Sequence, residues 1–135
     1  MSRKNSIKFL FYALPPFIYA GLIFFLSSLP SEKITLVSGI KDYILHFIEF
    51  GLLALLTIRF VNFYFNPGVK CYFLIFLVTT LYGLSDEWHQ SFVPGRVASA
   101  SDLLADTLGV IFGLGIYYVV IRYKERGRGE SLPGV

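Results

Sequence analysis

Three ionisable side chains recur at helical spacing early in the sequence. Asp42, His46 and Glu49 stand at positions i, i+4 and i+7, which share one face of an α-helix. The neighbouring residues, "YILHFIEFGLLALL", are otherwise apolar. An imidazole beside two carboxylates could transfer protons or hold a divalent metal ion. The same groups could instead form a hydrogen-bonded cluster that locks helices together, because polar side chains inside membranes pair with one another.

A second polar stretch, "YGLSDEWHQSFVPGR", occupies residues 82–96. On a helix it presents two adjacent rows, and the spacing alone does not decide which row faces inward. The rows are Tyr82, Asp86 and His89, and beside them Gly83, Glu87 and Gln90. Trp88 lies between the rows and is predicted to be an aromatic anchor at the membrane interface. The Pro-Gly pair after Val93 predicts the end of this helix.

The third polar stretch, "SASDLLAD", introduces another helix. Ser99 precedes Asp102 by three residues, the spacing of an N-terminal cap, whereas Asp106 lies one turn deeper. Gly109 and Gly113 continue the face that carries both aspartates, so both carboxylates are predicted to point into the bundle. Small residues at every fourth position predict close approach of another helix: Ala105, Gly109 and Gly113.

Arg96 is the only basic residue in its loop. Its planar guanidinium suits a carboxylate or a phosphate, so a structural ion pair and an anion-binding role both remain open. The candidate partners for an ion pair are Asp86, Glu87, Asp102 and Asp106.

The elements that position these residues are predicted to be membrane helices. The chain has 135 residues, of which 55% are hydrophobic and 16% charged, and its mean hydropathy is +0.63. A spanning helix needs roughly 20 mostly apolar residues, and four segments approach that length: residues 9–29, 43–65, 71–91 and 103–123. We therefore expect an all-α integral membrane bundle of four transmembrane helices, with the first span uncleaved.

The domain boundaries follow from these spans. Residues 1–8 are predicted to be a cytoplasmic flank, residues 9–123 the four-helix transmembrane domain, and residues 124–135 a polar, disordered cytoplasmic tail. No soluble catalytic domain is expected. Cys71 is the only cysteine, which excludes an internal disulfide and a multi-cysteine metal site.

The basic residues predict the orientation of the bundle. Cytoplasmic loops of membrane proteins are enriched in Lys and Arg, and placing both termini in the cytoplasm puts nine of the twelve basic residues on that side. Seven of the nine acids and both histidines then lie on the opposite side. The basic residues flank spans, where they hold topology and contact anionic lipid, so a nucleic-acid partner is not expected.

These observations together predict an outward-facing polar pocket at the extracytoplasmic ends of the helices. Catalytic residues and cofactors stay undetermined, and a divalent metal is compatible with the side chains although no recognised metal motif is present. The candidate pocket residues are Asp42, His46, Glu49, Asp86, Glu87, His89, Gln90, Arg96, Asp102 and Asp106.

The polar stretches resemble a known family. "YGLSDEWHQSFVPGRVASASDLLADTLGVIFG", preceded by "SSLPS" and "DYILHFIEFGLLA", is similar to the VanZ-like family over about residues 24–115. The resemblance implies a bacterial, multi-pass cell-membrane protein, and in some members a link to lowered susceptibility to lipoglycopeptide antibiotics such as teicoplanin. The family's polar positions fall on Asp42, His46, Glu87, Gln90, Arg96, Asp102 and Asp106. The family usually has an aromatic residue one turn after the histidine, so Glu49 is an additional acid in this chain.

Three functions remain open. The pocket could bind or modulate a lipid-linked envelope component, such as a cell-wall precursor or an anionic lipid head group. It could alternatively be the site of a membrane-embedded enzyme that acts on such a substrate through histidine and carboxylates. A transporter is the least favoured, because an ion path needs polar residues along the whole span and the inner halves offer only Arg59, Thr79 and Thr80.

Overall fold

The computed structural model describes residues 3–30, 42–65 and 67–126. Its regular structure consists of four helices: α1 (Arg3–Ser27), α2 (Asp42–Tyr64), α3 (Val69–Gln90) and α4 (Ala100–Arg126). The shortest, α3, has 22 residues, and at about 1.5 Å per residue it reaches across a hydrocarbon core of about 30 Å. All four helices are long and apolar enough to cross a membrane. The predicted all-α bundle of four membrane-spanning helices is confirmed.

Large apolar side chains cover the outside of the bundle. Phe17, Trp88 and Phe92 are each more than two thirds exposed, and the other helices carry many similar residues. In water such a surface would cause aggregation, but it suits hydrocarbon. The interior holds a smaller apolar core built from Ile23, Phe50, Leu53, Ala54, Ile58, Ile75, Val110 and Leu114.

The closest helix pair is α2 with α4, which have the most extensive contact in the described bundle. A methyl group added at Gly109 would overlap the carbonyl oxygen of Phe47, and one at Gly113 would overlap that of Gly51. The two backbones therefore touch directly, and only glycine permits this approach. The predicted role of the small-residue series is confirmed at these two positions.

The ends of the helices refine the predicted boundaries. Helix α1 begins at Arg3 and α4 continues to Arg126, so part of the predicted N-terminal flank and residues 124–126 of the predicted tail are helical. Residues 127–135 lie outside the described part of the chain. Helix α3 ends at Gln90, and the following turn contains Gly95 at φ 77°, a conformation that glycine adopts without a steric penalty.

Candidate functional site

The polar residues gather at one end of the bundle, where α1 and α3 end and α2 and α4 begin. Several side chains join these four helix ends. Ser28 Oγ, just after α1, lies 3.0 Å from His89 Nε2 of α3. The backbone N–H of Ser99, just before α4, donates to Glu87 Oε2 of α3 over 2.8 Å. We call this the polar end of the bundle.

A cavity of about 170 Å³ opens at the polar end. It lies between the last turns of α1, the first two turns of α2, the last turns of α3 and the loop before α4. The lining residues are Ile23, Leu26, Ser27, Asp42, Leu45, His46, Glu49, Asp86, Gln90 and Arg96. Six of the ten predicted pocket residues therefore lie on its wall: Asp42, His46, Glu49, Asp86, Gln90 and Arg96.

The α2 stripe forms one wall of the cavity as its spacing predicts. Asp42 is exposed at the rim, Glu49 is half-buried, and His46 is only 6% exposed. Depth along the helix does not explain this order, because Glu49 lies one turn further in than His46. His46 is the most buried of the three because its ring packs against carboxylates of α3 and α4.

His46 pairs with an aspartate 60 residues away. Its Nδ1 lies 2.9 Å from Asp106 Oδ1 and 3.7 Å from Glu87 Oε1, so an imidazole from α2 meets carboxylates from α3 and α4. An ionised carboxylate can only accept a hydrogen bond, so Nδ1 donates to Asp106 when that acid is charged. We call His46, Glu87 and Asp106 the buried triad; Glu87 and Asp106 are 5% and 0% exposed.

Each carboxylate of the buried triad has one oxygen engaged and one oxygen without a hydrogen-bond partner among the described residues. Glu87 Oε2 accepts from the Ser99 backbone, whereas Oε1 has no such partner. Asp106 Oδ1 bonds to His46, whereas Oδ2 has none. The space occupied by Asp106 Oδ2 exists because α3 has a glycine there: a methyl group on Gly83 would come within 2.9 Å of it.

The two rows on α3 do not divide into an inner and an outer row. The buried positions are Gly83, Asp86, Glu87 and Gln90, which are spaced i, i+3, i+4 and i+7 and therefore draw from both rows. Within this stripe Gln90 Nε2 donates to Asp86 Oδ2 over 2.9 Å. Asp86 Oδ1 has no partner among the described residues.

Of the two roles left open for Arg96, the ion pair is not formed with any of the four candidate acids. The Nε and Nη2 groups of Arg96 donate to the carbonyl oxygens of Leu29 and Leu26, each over 3.3 Å. The last carbonyls of a helix have no partner within the helix, and Arg96 supplies donors to this end of α1. The arginine thus holds the α1 wall of the cavity while its side chain also lines the cavity.

His89 does not line the cavity, contrary to its place in the predicted pocket. Its ring stacks on Phe24 with centroids 4.5 Å apart, and its Nε2 lies beside Ser28 Oγ. A step of 100° per residue turns position 89 away from the face shared by Asp86 and Gln90. His89 therefore joins α3 to α1.

Asp102 is half-buried and also lies outside the cavity lining. It occupies the first turn of α4, where a carboxylate interacts favourably with the helix N-terminus. Ser99 fulfils the predicted capping role, since its Oγ accepts the Ser101 backbone N–H over 3.2 Å. Asp106 points into the bundle as expected, whereas Asp102 remains near the surface.

The predicted pocket did not include Ser27, Gly83 or the apolar lining residues Ile23, Leu26 and Leu45. Ser27 is 4% exposed, lines the cavity, and its Oγ has no hydrogen-bond partner within the described segments. Gly83 makes room for Asp106. Gly83 precedes Glu87 by one helical turn on the same face of α3. This spacing could have predicted that Gly83 lies beside the buried acids.

The lining side chains give the cavity an excess of acid. Asp42, Glu49 and Asp86 stand against the single guanidinium of Arg96. Among these groups, only Arg96 and a protonated His46 offer positive charge. The arrangement can accept hydrogen bonds from hydroxyl, amine or amide groups, or bind a cation, more readily than it can surround an anion.

Comparison with known proteins gives one family and no individual relatives. Neither curated proteins nor solved structures show a match to this chain. The family model described as VanZ/LLP1 matches residues 9–122, a range that covers nearly all of the four spans and includes every residue of the cavity lining and the buried triad. On this match the chain belongs to the VanZ/LLP1 family of membrane proteins.

Proposed function

We propose that the cavity binds the polar head of a lipid-linked component of the cell envelope. The observation that carries this proposal is a cavity at the end of a membrane bundle whose wall combines seven polar side chains from three helices and a loop. Its volume of about 170 Å³ is below the roughly 300–1,000 Å³ of pockets that enclose whole drug-sized ligands. It therefore fits one polar group of a larger molecule whose apolar part stays in the bilayer.

The lining suggests how such a head group is held. Arg96 offers its guanidinium to a phosphate or carboxylate, while the acids and Gln90 accept from or donate to sugar hydroxyls and amines. The distribution of Lys and Arg supports an extracytoplasmic position for the polar end in the cell membrane. Binding of an envelope precursor there would also provide a route to lowered lipoglycopeptide susceptibility.

The test measures binding of lipid to the purified protein. In nanodiscs of phosphatidylcholine, titrated phosphatidylglycerol is counted by native mass spectrometry after release from the disc. Loss of a charged hydrogen bond costs about 1.5–3 kcal/mol, so Arg96→Ala should weaken binding about tenfold or more. Lys70→Ala, at an exposed basic residue near the other end of the bundle, is the control and should bind as the wild type does.

The outcome separates specific binding from general attraction of basic residues to anionic lipid. Equal weakening by both substitutions, or unchanged binding in Arg96→Ala, would contradict the proposal for anionic head groups. Arg96→Ala protein must first elute as a single species in gel filtration, because Arg96 also contacts the end of α1.

A second candidate function is catalysis on a lipid-linked substrate. The observation that favours it is the orientation of His46, whose ring lines the cavity while its Nδ1 bonds to Asp106. A histidine fixed in this way by a carboxylate is the usual arrangement of a general base. Release of inorganic phosphate or of a head group from lipid-linked phosphates, abolished by His46→Gln and retained by His89→Gln, would support it. Equal turnover in wild type and His46→Gln would exclude this role of His46.

A further inference from the structure

The buried triad has the composition and geometry of an ion-binding site. Each of its three residues offers one ligand atom, and these atoms lie within 4.8 Å of one another. Two ligands bound to one zinc ion at about 2.1 Å are at most about 4.2 Å apart, so the two most distant ligand atoms would need to approach each other by at least about 0.6 Å. We infer that His46, Glu87 and Asp106 bind a divalent transition-metal ion between α2, α3 and α4.

The unpartnered oxygens provide an independent reason for a ligand at this place. Glu87 Oε1 and Asp106 Oδ2 are buried without a hydrogen-bond partner among the described residues. A buried carboxylate oxygen without a partner is costly. Glu87 Oε1 lies 3.7 Å from His46 Nδ1, and Asp106 Oδ2 belongs to the carboxylate that contacts the same nitrogen. A cation that both acids ligate would satisfy them together.

The donor set selects the kind of ion. Magnesium and calcium prefer sites made only of oxygen ligands, whereas imidazole suits zinc, iron, copper and nickel, and carboxylates suit manganese. One nitrogen and two carboxylates therefore favour zinc or manganese. With a neutral imidazole the three ligands carry two negative charges, which a divalent ion balances.

The surroundings of the triad already orient its ligands. The Ser99 backbone N–H fixes Glu87 through Oε2 and leaves Oε1 free. Gly83 leaves the space that Asp106 Oδ2 occupies. Contacts of this kind, one step beyond the ligands, hold metal ligands in place and are important for affinity.

The position of the ion would change the charge of the cavity. His46 belongs both to the triad and to the cavity wall, so the ion would lie directly behind that wall. The ion would cancel the two negative charges of Glu87 and Asp106 and so lower the negative potential that a phosphate in the cavity meets. This last link rests on the proposed function, whereas the ion site itself does not depend on it.

The first experiment measures the metal directly. Protein purified in detergent without chelator is analysed for metal content by mass spectrometry, then stripped and titrated with Zn²⁺, Mn²⁺ and Co²⁺. We expect one ion per chain and a visible Co²⁺ absorption band. Glu87→Gln and Asp106→Asn, which preserve side-chain size, should each lower the bound fraction at least tenfold. Asp102→Asn removes an acid at the same end but outside the triad, and should bind fully.

A spectroscopic measurement on protein with an intact triad covers the case in which a triad variant fails to fold. Pulsed electron paramagnetic resonance of the Mn²⁺-loaded wild type should show coupling to an imidazole nitrogen. The chain has only two histidines, so retention of this coupling in His89→Gln assigns it to His46. Absence of stoichiometric binding by all three ions in folded wild-type protein, or full binding in folded Glu87→Gln and Asp106→Asn, would overturn the inference.

The failure of this inference can be told apart from failure of the proposed function. Metal binding is measured in detergent without added envelope lipid, and lipid binding is measured on both stripped and metal-loaded protein. Metal binding without selective lipid binding would remove only the proposed function. Selective lipid binding by a protein that takes up none of the three ions would remove only the ion site.

Discussion

At the scale of single residues, the His46–Asp106 contact is a buried polar link between α2 and α4. Both side chains are buried and their atoms lie 2.9 Å apart. In a low-dielectric interior such a pair interacts strongly, and removing one partner leaves the other unsatisfied. The pair should therefore contribute to stability even when no ion is bound.

A double-mutant cycle of His46→Ala and Asp106→Ala should give a coupling free energy of about 1–3 kcal/mol in metal-free protein, as for other residues in direct contact. The free energy of unfolding is measured by SDS titration in mixed micelles. A matched cycle of Ser28→Ala and His89→Ala tests a polar pair that is only part-buried, and should give less than about 1 kcal/mol. Equal coupling free energies in the two cycles would show that burial does not strengthen the His46–Asp106 interaction.

The sequence predicts well which residues share one face of a helix. It predicts poorly which residue of another helix each of them contacts. The spacing of Asp42, His46 and Glu49 correctly places them on one wall, because helix geometry alone determines that face. The pairing of His46 with Asp106 depends on how α2 and α4 pack, which no local spacing contains. The same limit explains Arg96. Its acceptors are backbone carbonyl oxygens at the end of α1 and just after it, and every residue carries such a group, so no sequence pattern identifies them.

At the scale of helices, the contact between α2 and α4 depends on glycine. Gly109 faces the backbone of α2, whereas a methyl group on Gly115 of the same helix would meet no atom within 4 Å. These two positions therefore provide a matched comparison, because the change in helix propensity is the same and only the packing differs.

Gly109→Ala should destabilise the bundle by at least about 2 kcal/mol, since a rigid backbone neighbour cannot move aside for the added methyl group. Gly115→Ala should be neutral or stabilising by up to about 1 kcal/mol. Both are measured by the same SDS titration. Similar values for the two variants would show that α2 and α4 are not packed in this way.

Helix α1 is held at the polar end by side chains more than by close packing. Arg96 donates to the carbonyls of Leu26 and Leu29, and Tyr82 Oη donates to the Ala20 carbonyl over 2.7 Å. The α1 span has the smallest buried share of the four. Its position should therefore be sensitive to the loss of individual hydrogen bonds.

Arg96→Lys should loosen the end of α1 although the charge is unchanged, because an ammonium group lacks the planar set of donors that reaches both carbonyls. Spin labels are attached to Phe25→Cys and Leu104→Cys, both at exposed positions, in a Cys71→Ser background. The distribution of distances between the two labels should be broader in the Arg96→Lys variant than in the protein that retains Arg96. Lys70→Arg, an exchange of basic residues near the other end, is the control. An unchanged distribution in Arg96→Lys would indicate that Arg96 acts through charge alone.

At the scale of the whole molecule, the charge distribution predicts the orientation. The number and type of helices follow from apolar length, and the sequence was sufficient for both because span length is set by the bilayer. Orientation depends instead on flanking Lys and Arg, nine of which fall on the side opposite the polar end when both termini are cytoplasmic.

In a Cys71→Ser background, Ser91→Cys introduces a single cysteine at an exposed position of the polar end. It should react with a membrane-impermeant maleimide added to cells whose outer layers have been removed. A cysteine at Lys124 should react only after permeabilisation. Cys71→Ser without a new cysteine gives the background signal. The reverse pattern of labelling would place the polar end in the cytoplasm and would exclude an extracytoplasmic ligand.

The backbone contact between α2 and α4 also limits how the protein can change shape. Where α2 and α4 touch through Gly109 and Gly113, no side chain lies between the backbones to change rotamer, so we expect these two helices to resist movement relative to each other. The α1 wall, with Ile23, Leu26 and Ser27, is the side of the cavity secured mainly by a few hydrogen bonds. If a ligand larger than the cavity binds there, we therefore expect α1 to move and the α2–α4 pair to stay in place.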